Sequence, residues 1–296
     1  MASTNTNNKT PSYTNHNGFL MPAGFPTENF SSATSWKPQL DDLVIATYPK
    51  SGTTLTQHMT YIMLNDGIPV QPGEKLDVLF PHLEEVGNPS SASVKSGKRL
   101  IKTHLPYDKL SKVSPESIAK FIFVARNPKD CIVSFFHHTR GFPQHYDFED
   151  GEFGVYHDLF CKGEVDFGSY FDMLRSWLDH KDDENVLFIT YEDIRANKKK
   201  VISEIAEFIG GGTKEKLMED DGILMDKILK YSSLEEMKKD PLRWCSERKA
   251  EHSPFVRSGK VGGWGELLTK EQGDKLDEIM REKFTPEELN YLGEKY

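Results

Sequence analysis

A single α/β domain, with a central parallel sheet flanked by helices on both faces, is the fold that this sequence predicts. Three observations predict it. Short, nearly unbroken apolar runs recur at residues 43–48, 99–103, 120–125 and 186–190, the pattern of strands buried on both faces. Helix-spaced segments alternate with them, at 53–66, 127–138 and 192–209, as crossovers between parallel strands require. No internal repeat, Gly/Ser linker or composition break divides the 296 residues, a length that one large α/β domain accommodates.

Taken in order, residues 1–17 are rich in Ser, Thr and Asn and read as a disordered tail, leaving 18–296 as the domain. Residues 18–40 carry Pro22, Pro26 and Pro38 and read as extended surface coil. Leu43-Val44-Ile45-Ala46-Thr47-Tyr48, between Asp41-Asp42 and Pro49, is the first buried strand. From Thr53 to Asp66, Leu55, Met59, Ile62 and Met63 share one side of a helix that Gly67 stops. Strands over 99–103 and 120–125 follow. Asn127-Pro128 opens a helix through His138, because Pro is tolerated in a first turn. An amphipathic helix is predicted over 165–180, a strand over 186–190 and helix over 192–209. The remainder is helix-rich apart from an irregular stretch at 240–265.

The net charge of −9 argues against wholesale binding of nucleic acid but allows a local basic pocket for a small anion. Cys131, Cys161 and Cys245 are too widely spaced for a disulfide framework or a CxxC metal site. They fit a reduced intracellular protein. Residues 1–17 have no apolar core, and no run approaches the ~20 apolar residues of a spanning helix. A cytoplasmic protein without membrane attachment is therefore expected.

Chemistry concentrates first in Tyr48-Pro49-Lys50-Ser51-Gly52-Thr53-Thr54. A tight loop holding Lys, Gly and hydroxyls between a buried strand and a helix is a phosphate cradle. Helix N-terminal amides point at the anion, and Lys50 adds a full charge. The loop is not a Walker A sequence, because Lys50 precedes Gly52 and the first glycine of that pattern is absent. It suits a single terminal phosphate better than a triphosphate with Mg²⁺.

Thr47-Tyr48-Pro49-Lys50-Ser51-Gly52-Thr53-Thr54 resembles the 5′-phosphosulfate loop of the cytosolic sulfotransferases. That family uses 3′-phosphoadenosine 5′-phosphosulfate (PAPS) as donor and releases adenosine 3′,5′-bisphosphate (PAP), on a P-loop-like sheet. Three further segments match in chain order. Lys102-Thr103-His104-Leu105-Pro106 closes the second strand, where open α/β sheets bind ligands. A His there has a suitable pKa for a general base, and the resemblance implies that role for His104. Val124-Ala125-Arg126-Asn127-Pro128-Lys129-Asp130 follows the third strand, with Ser134 two helical turns beyond Asn127. The resemblance assigns Arg126 and Ser134 to the 3′-phosphate, whereas Lys129 reads as a solvated surface charge. Phe255-Val256-Arg257-Ser258-Gly259-Lys260-Val261-Gly262-Gly263-Trp264 resembles the family's closing loop, in which Arg257 would clamp that phosphate. Tyr191, in Thr-Tyr-Glu-Asp, is either an adenine contact or a core tyrosine at a strand end. Ser232-Ser233-Leu234 resembles the family's Thr-Ser-Phe, which lines the adenine.

The resemblance implies sulfuryl transfer, in which positioning and electrostatics dominate. His104 would take the acceptor's proton, Lys50 would neutralise the bridging oxygen, and Lys102 would help hold the transferred group. Ser134 would also bond Lys50 before the acceptor arrives. Ser51, Gly52, Thr53, Thr54 and the loop amides would fix the 5′-phosphate, with no metal. The acceptor, a small phenol, sterol, alcohol or amine, would enter an apolar pocket. Phe80, Phe135, Phe136, His137, Phe142 and Tyr146 either line that pocket or are ordinary core aromatics.

The sequence departs from the family at several points. Leu55 replaces a Trp that stacks on adenine, Leu234 replaces the Phe, and Ser258 replaces a Lys beside the 3′-phosphate. Weaker donor binding is expected from the lost aromatic faces. The family's dimer segment, Lys-x-x-x-Thr-Val-x-x-x-Glu, has decayed over residues 265–274 so that only Thr269 remains. A monomer, or a dimer through another surface, is expected. Three rivals stand beside the transferase reading. A P-loop nucleotide kinase would need the Walker spacing. A non-catalytic nucleotide or small-ligand binder would share the fold. A dehydratase working through a transient sulfate ester would share the site.

Overall fold

The computed structural model describes residues 9–89, 97–110, 119–244 and 254–293. Its first element is an antiparallel hairpin of β1 (Tyr13–His16) and β2 (Phe19–Pro22). The central sheet contains β3 (Asp42–Thr47), β4 (Arg99–Thr103), β5 (Lys120–Ala125) and β6 (Val186–Thr190). These four are parallel in the order β4-β3-β5-β6. Successive side chains of a strand leave on opposite faces, so both faces need cover. Val44, Ala46, Ile101, Phe121 and Phe123 enter one apolar core, and Leu43, Ile45, Leu100, Ile122 and Val124 enter the other. This explains why the strands read as unbroken apolar runs.

The amino ends of the central strands are tied by an ion pair. Arg99 donates through Nε to Asp42 Oδ1 at 2.5 Å and through a terminal nitrogen to Oδ2 at 2.7 Å, both side chains being buried. The carboxyl ends are left for chemistry. The chain passes from β3 to β4 on one side and then to β5 on the other. The carboxyl end of β3 is therefore a switch point, where the flanking connections diverge and leave a crevice.

Several elements differ from the sequence expectation. Residues 13–16 pair as a strand where a disordered tail was expected, because Tyr13 packs on Tyr146 with ring centroids 6.1 Å apart. Residues 1–8 of that tail, like Cys245, lie outside the described residues. Thr27–Thr34 is helical within the expected coil, its first turn opened by Pro26 as N-cap. The amphipathic helix begins only at Tyr170, after Phe167 and Gly168 take left-handed φ values of 62° and 73° and Ser169 caps it. The helix over 192–209 is two, Tyr191–Ala196 and Lys198–Ile209, broken at Asn197, whose side chain caps the second. Helices Pro143–Tyr146 and Phe153–Lys162 were not anticipated.

Candidate active site

The loop after β3 turns tightly, with the Ser51 amide donating to the Tyr48 carbonyl at 3.2 Å. Lys50 and Gly52 hold left-handed φ values of 68° and 104°. The helix Thr53–Leu64 then begins with no side chain capping its first amides. Those amides are unpaired donors at the positive end of a helix dipole, the physical requirement for holding an anion. Gly52 is required for a second reason. A Cβ there would lie 2.7 Å from Tyr191 Cδ2, because the Tyr191 ring lies against the loop. Ser51 differs from its neighbours in the loop. Its side chain is buried beneath the loop with its hydroxyl 3.8 Å from Cys131 Sγ, so it braces the turn and does not line the cleft.

Thr47, the last residue of β3, organises the reactive centre. Its carbonyl lies 2.7 Å from His104 Nδ1, and its hydroxyl lies 3.2 Å from the same nitrogen and 2.6 Å from Thr53 Oγ1. A carbonyl can only accept, so Nδ1 carries the proton and Nε2 keeps its lone pair. From the other side, the His104 amide donates to Glu84 Oε1 at 2.5 Å. Glu84 is itself fully buried, with its second oxygen 3.4 Å from His82 Nε2. The His104 pKa is held well below the usual imidazole value, first by burial and then by the charges of Lys102, His82 and Lys50. The ring is therefore a neutral base at physiological pH.

Arg126, after β5, lies 4.5 Å over the Tyr191 ring and donates to the Lys50 carbonyl at 2.8 Å. Its Nε is buried with no partner among the described residues, a donor suited to an anionic ligand. Lys50 Nζ stands 4.1 Å over the Phe255 ring, which connects the phosphate loop to the closing segment. Gly259 takes φ 61° against Leu234 and Tyr191. Arg257 lies 3.6 Å from Glu266. Lys129 is a correction: it is half-buried, donates to Asp277 at 2.7 Å and lies 4.9 Å over Trp264, so it fastens the helix Lys270–Lys283.

One cleft of about 1680 Å³ of empty space, its open mouth included, collects nearly all of the predicted residues. Lys50, Gly52, Thr53, Thr54, Leu55, Lys102, His104, Arg126, Ser134 and Tyr191 line it. So do Ser232, Leu234, Phe255, Val256, Arg257, Ser258 and Gly259. Among the described residues that line it, five cations (Lys50, Lys102, Arg126, Arg195 and Arg257) outnumber two carboxylates, Asp77 and Glu85. The interior is thus basic although the chain carries a net charge of −9. Of the expected acceptor aromatics, Phe135, Phe142 and Tyr146 line the cleft. Phe80, Phe136 and His137 do not.

Sequence reasoning missed Phe25, His82, Glu85, His145, Phe167, Arg195 and Trp244, which also line the cleft. Trp244 bears on the expected loss of aromatic faces. It borders the same end as Leu55, Leu234 and Met237, its indole N–H fixed on the Met237 carbonyl at 2.6 Å. The site therefore keeps an indole, brought from a different element. A Leu55→Trp variant adds a second and is expected to lower the dissociation constant for adenosine 3′,5′-bisphosphate about fivefold, the low end of base stacking. Isothermal titration reads this directly. An unchanged constant would mean that the base already has its stacking partner.

Comparison with known proteins bears on the family and the fold. The family model described as the sulfotransferase domain matches residues 40–286. Human sulfotransferase 1C2 is 33% identical over 287 residues, covering 93% of each chain. Among solved structures, mouse sulfotransferase SULT7A1 complexed with PAP superimposes with a TM-score of 0.72 at 27% identity, covering 94% of this chain and 95% of its own. Retinol dehydratase in complex with androsterone and PAP has a TM-score of 0.73 at 19% identity, covering 93% and 90%, and shares the fold.

Proposed function

From a chain that belongs to the sulfotransferase family, we infer an enzyme that moves a sulfuryl group from PAPS to a hydroxyl or amine of a small acceptor by in-line transfer. The observation that carries this reading is the juxtaposition of an unprotonated His104 Nε2 with an uncapped phosphate loop in one basic cleft. The residues fit the nucleotide. A Cβ at Gly52 would press on the Tyr191 ring beside the loop, and the buried Arg126 Nε has no acceptor among the described residues. Lys50, Thr54 and the loop amides would hold the 5′ end, and Arg126, Ser134 and Arg257 the 3′-phosphate. Tyr191, Ser232, Leu234 and Trp244 would surround the base. When bound, PAPS supplies the activated sulfuryl group. His104 takes the acceptor proton at Nε2, its ring held from behind by the Thr47 carbonyl. Lys50 and Lys102 offset the charge that spreads over the transferred oxygens. Incubation with radiolabelled PAPS and a panel of phenols, sterols, alcohols and amines tests the reading. A labelled sulfate ester or sulfamate supports it, and absence of donor binding refutes it.

The acceptor end is not uniformly apolar. Phe25, Phe142 and Phe167 line it, packed against His82 and His145, and Glu85 lines it too. Contact with His82 at 3.5 Å, chiefly, holds the Glu85 carboxyl down to about 2, so it is ionised at any working pH. An ionised carboxylate in the same cleft as the base favours an acceptor that carries an ammonium or another strong donor away from its reacting hydroxyl. In a Glu85→Gln variant, KM for an aminoalkyl phenol should rise about threefold to tenfold, the carboxylate being partly exposed. KM for a neutral phenol should stay unchanged. Equal changes for both acceptors would show that Glu85 only shapes the wall.

A further inference from the structure

The nucleobase end of the cleft contains a charged contact that the transfer chemistry does not use. Lys198 opens the helix Lys198–Ile209, and its Nζ lies 2.8 Å from the Ser232 carbonyl and 3.3 Å from Ser232 Oγ. Ser232 is the C-cap of the helix Ile223–Tyr231. Its carbonyl therefore belongs to the negative end of a helix dipole, a natural seat for an ammonium. The contact with the hydroxyl has a sharper consequence. An ammonium has three donors and no acceptor, so Ser232 Oγ must accept from it. The hydroxyl's own proton then has to be given elsewhere. Among the described residues no protein acceptor takes it, and Ser232, only 1% exposed, borders the cleft beside Leu234, Met237 and Trp244.

Lys198 has no carboxylate partner among the described residues. The charged and titratable groups around it are Arg195 from the preceding helix and His58 from Thr53–Leu64. His58 is kept neutral, its pKa pushed down to about 3, chiefly by burial. Burial and Arg195 bring the Lys198 pKa down to about 8. Holding an ammonium here works against desolvation, and the contact that it makes is with a residue lining the cleft.

We propose that Lys198 is a positioning residue that fixes the Ser232 hydroxyl as a hydrogen-bond donor into the cleft, so that the site takes its purine by one ring nitrogen acting as acceptor. The proposal rests on the nucleotide reading above and adds how the base is recognised. Lys198 itself does not line the cleft. It acts through Ser232 by removing the other orientation of the O–H.

The test measures binding of adenosine 3′,5′-bisphosphate and its 1-deaza, 3-deaza and 7-deaza analogues to the full chain by isothermal titration. The wild type should lose about threefold to tenfold in affinity with one of the three analogues, the worth of one net hydrogen bond. In Lys198→Met that penalty should vanish, and Lys198→Arg should restore it. Ser232→Ala should abolish it independently, which keeps the proposal testable if Lys198→Met folds poorly. In turnover, Lys198→Met should raise the donor KM and leave kcat at saturating donor unchanged. Indifference of the wild type to all three analogues overturns the proposal, as does a penalty that persists in Lys198→Met. Failure of the wild type to bind adenosine 3′,5′-bisphosphate at all overturns the nucleotide reading instead.

Discussion

Replacing His104 by Gln lowers kcat by about 10²- to 10⁴-fold, the usual contribution of a positioned general base, and leaves affinity for the bisphosphate within about threefold. The Gln side chain can still donate to the Thr47 carbonyl, now 2.7 Å from Nδ1, but it offers no basic lone pair in place of Nε2. Ground-state packing is thus largely kept while proton removal is lost. The wild-type pH profile provides a second check. Burial first, and Lys102 next, hold the His104 pKa well below 6.5, so the base form persists into mildly acid solution. The acid limb of kcat/KM should fall below pH 6.5. The stability sign follows from the same shift. Below 6.5 the unfolded chain takes up a proton that the native ring refuses, so this residue's contribution is present above that pH and declines as pH falls toward the native pKa. An acid limb above 6.5, or a His104→Gln variant with unchanged kcat, would assign proton removal to another group.

The parts of this site that were legible in the sequence are those in which chemistry is local. The phosphate loop is contiguous with its strand and its helix, and its residues can do little else together. His104 was legible because a strand end in an open sheet has one destination, and β4 ends at Thr103 beside β3. The inward turn of the Ser51 hydroxyl was not legible, because a loop sequence does not say which of its hydroxyls turns inward. Here the side chain turns toward Cys131, a residue of the helix Pro128–Arg140 distant in sequence. Glu84 and Trp244 were illegible for a related reason. Glu84 holds the His104 amide across 20 residues, and Trp244 reaches the cleft from an irregular segment with no periodicity to place it. In the fold, the sheet strands were readable because burial on both faces leaves unbroken apolar runs. The hairpin at 13–22 was hidden because its first strand is mostly polar and only its last residue, His16, is buried. Asn197, which ends one helix and caps the next, looks in sequence like any polar residue in a helical stretch.

The largest loss of donor binding from one methyl group is expected at Gly52. Ala at this position must hold φ near 104°, outside the region that L-residues adopt, and such strain costs about 1–3 kcal/mol. Its Cβ would also stand 2.7 Å from Tyr191 Cδ2, a contact that forces the ring or the loop to move. The ring is not free to move alone. It carries the Arg126 guanidinium at 4.5 Å, and that guanidinium donates to the Lys50 carbonyl at 2.8 Å. Displacing Tyr191 therefore shifts the cation predicted to hold the 3′-phosphate and the loop predicted to hold the 5′ end. Both ends of the nucleotide loosen at once, and Gly52→Ala should weaken bisphosphate binding by about 10²-fold or more, two charge-assisted contacts being affected. The melting temperature should fall by only a few degrees, since the strain is about 1–3 kcal/mol in a large domain. A companion variant separates the two causes. Tyr191→Ala alone leaves the loop unstrained but removes the ring from beneath Arg126. If it reproduces most of the affinity loss, the methyl acts through the ring. If Gly52→Ala binds the bisphosphate as tightly as wild type, the loop is not the seat of the 5′-phosphate and the functional reading loses its anchor.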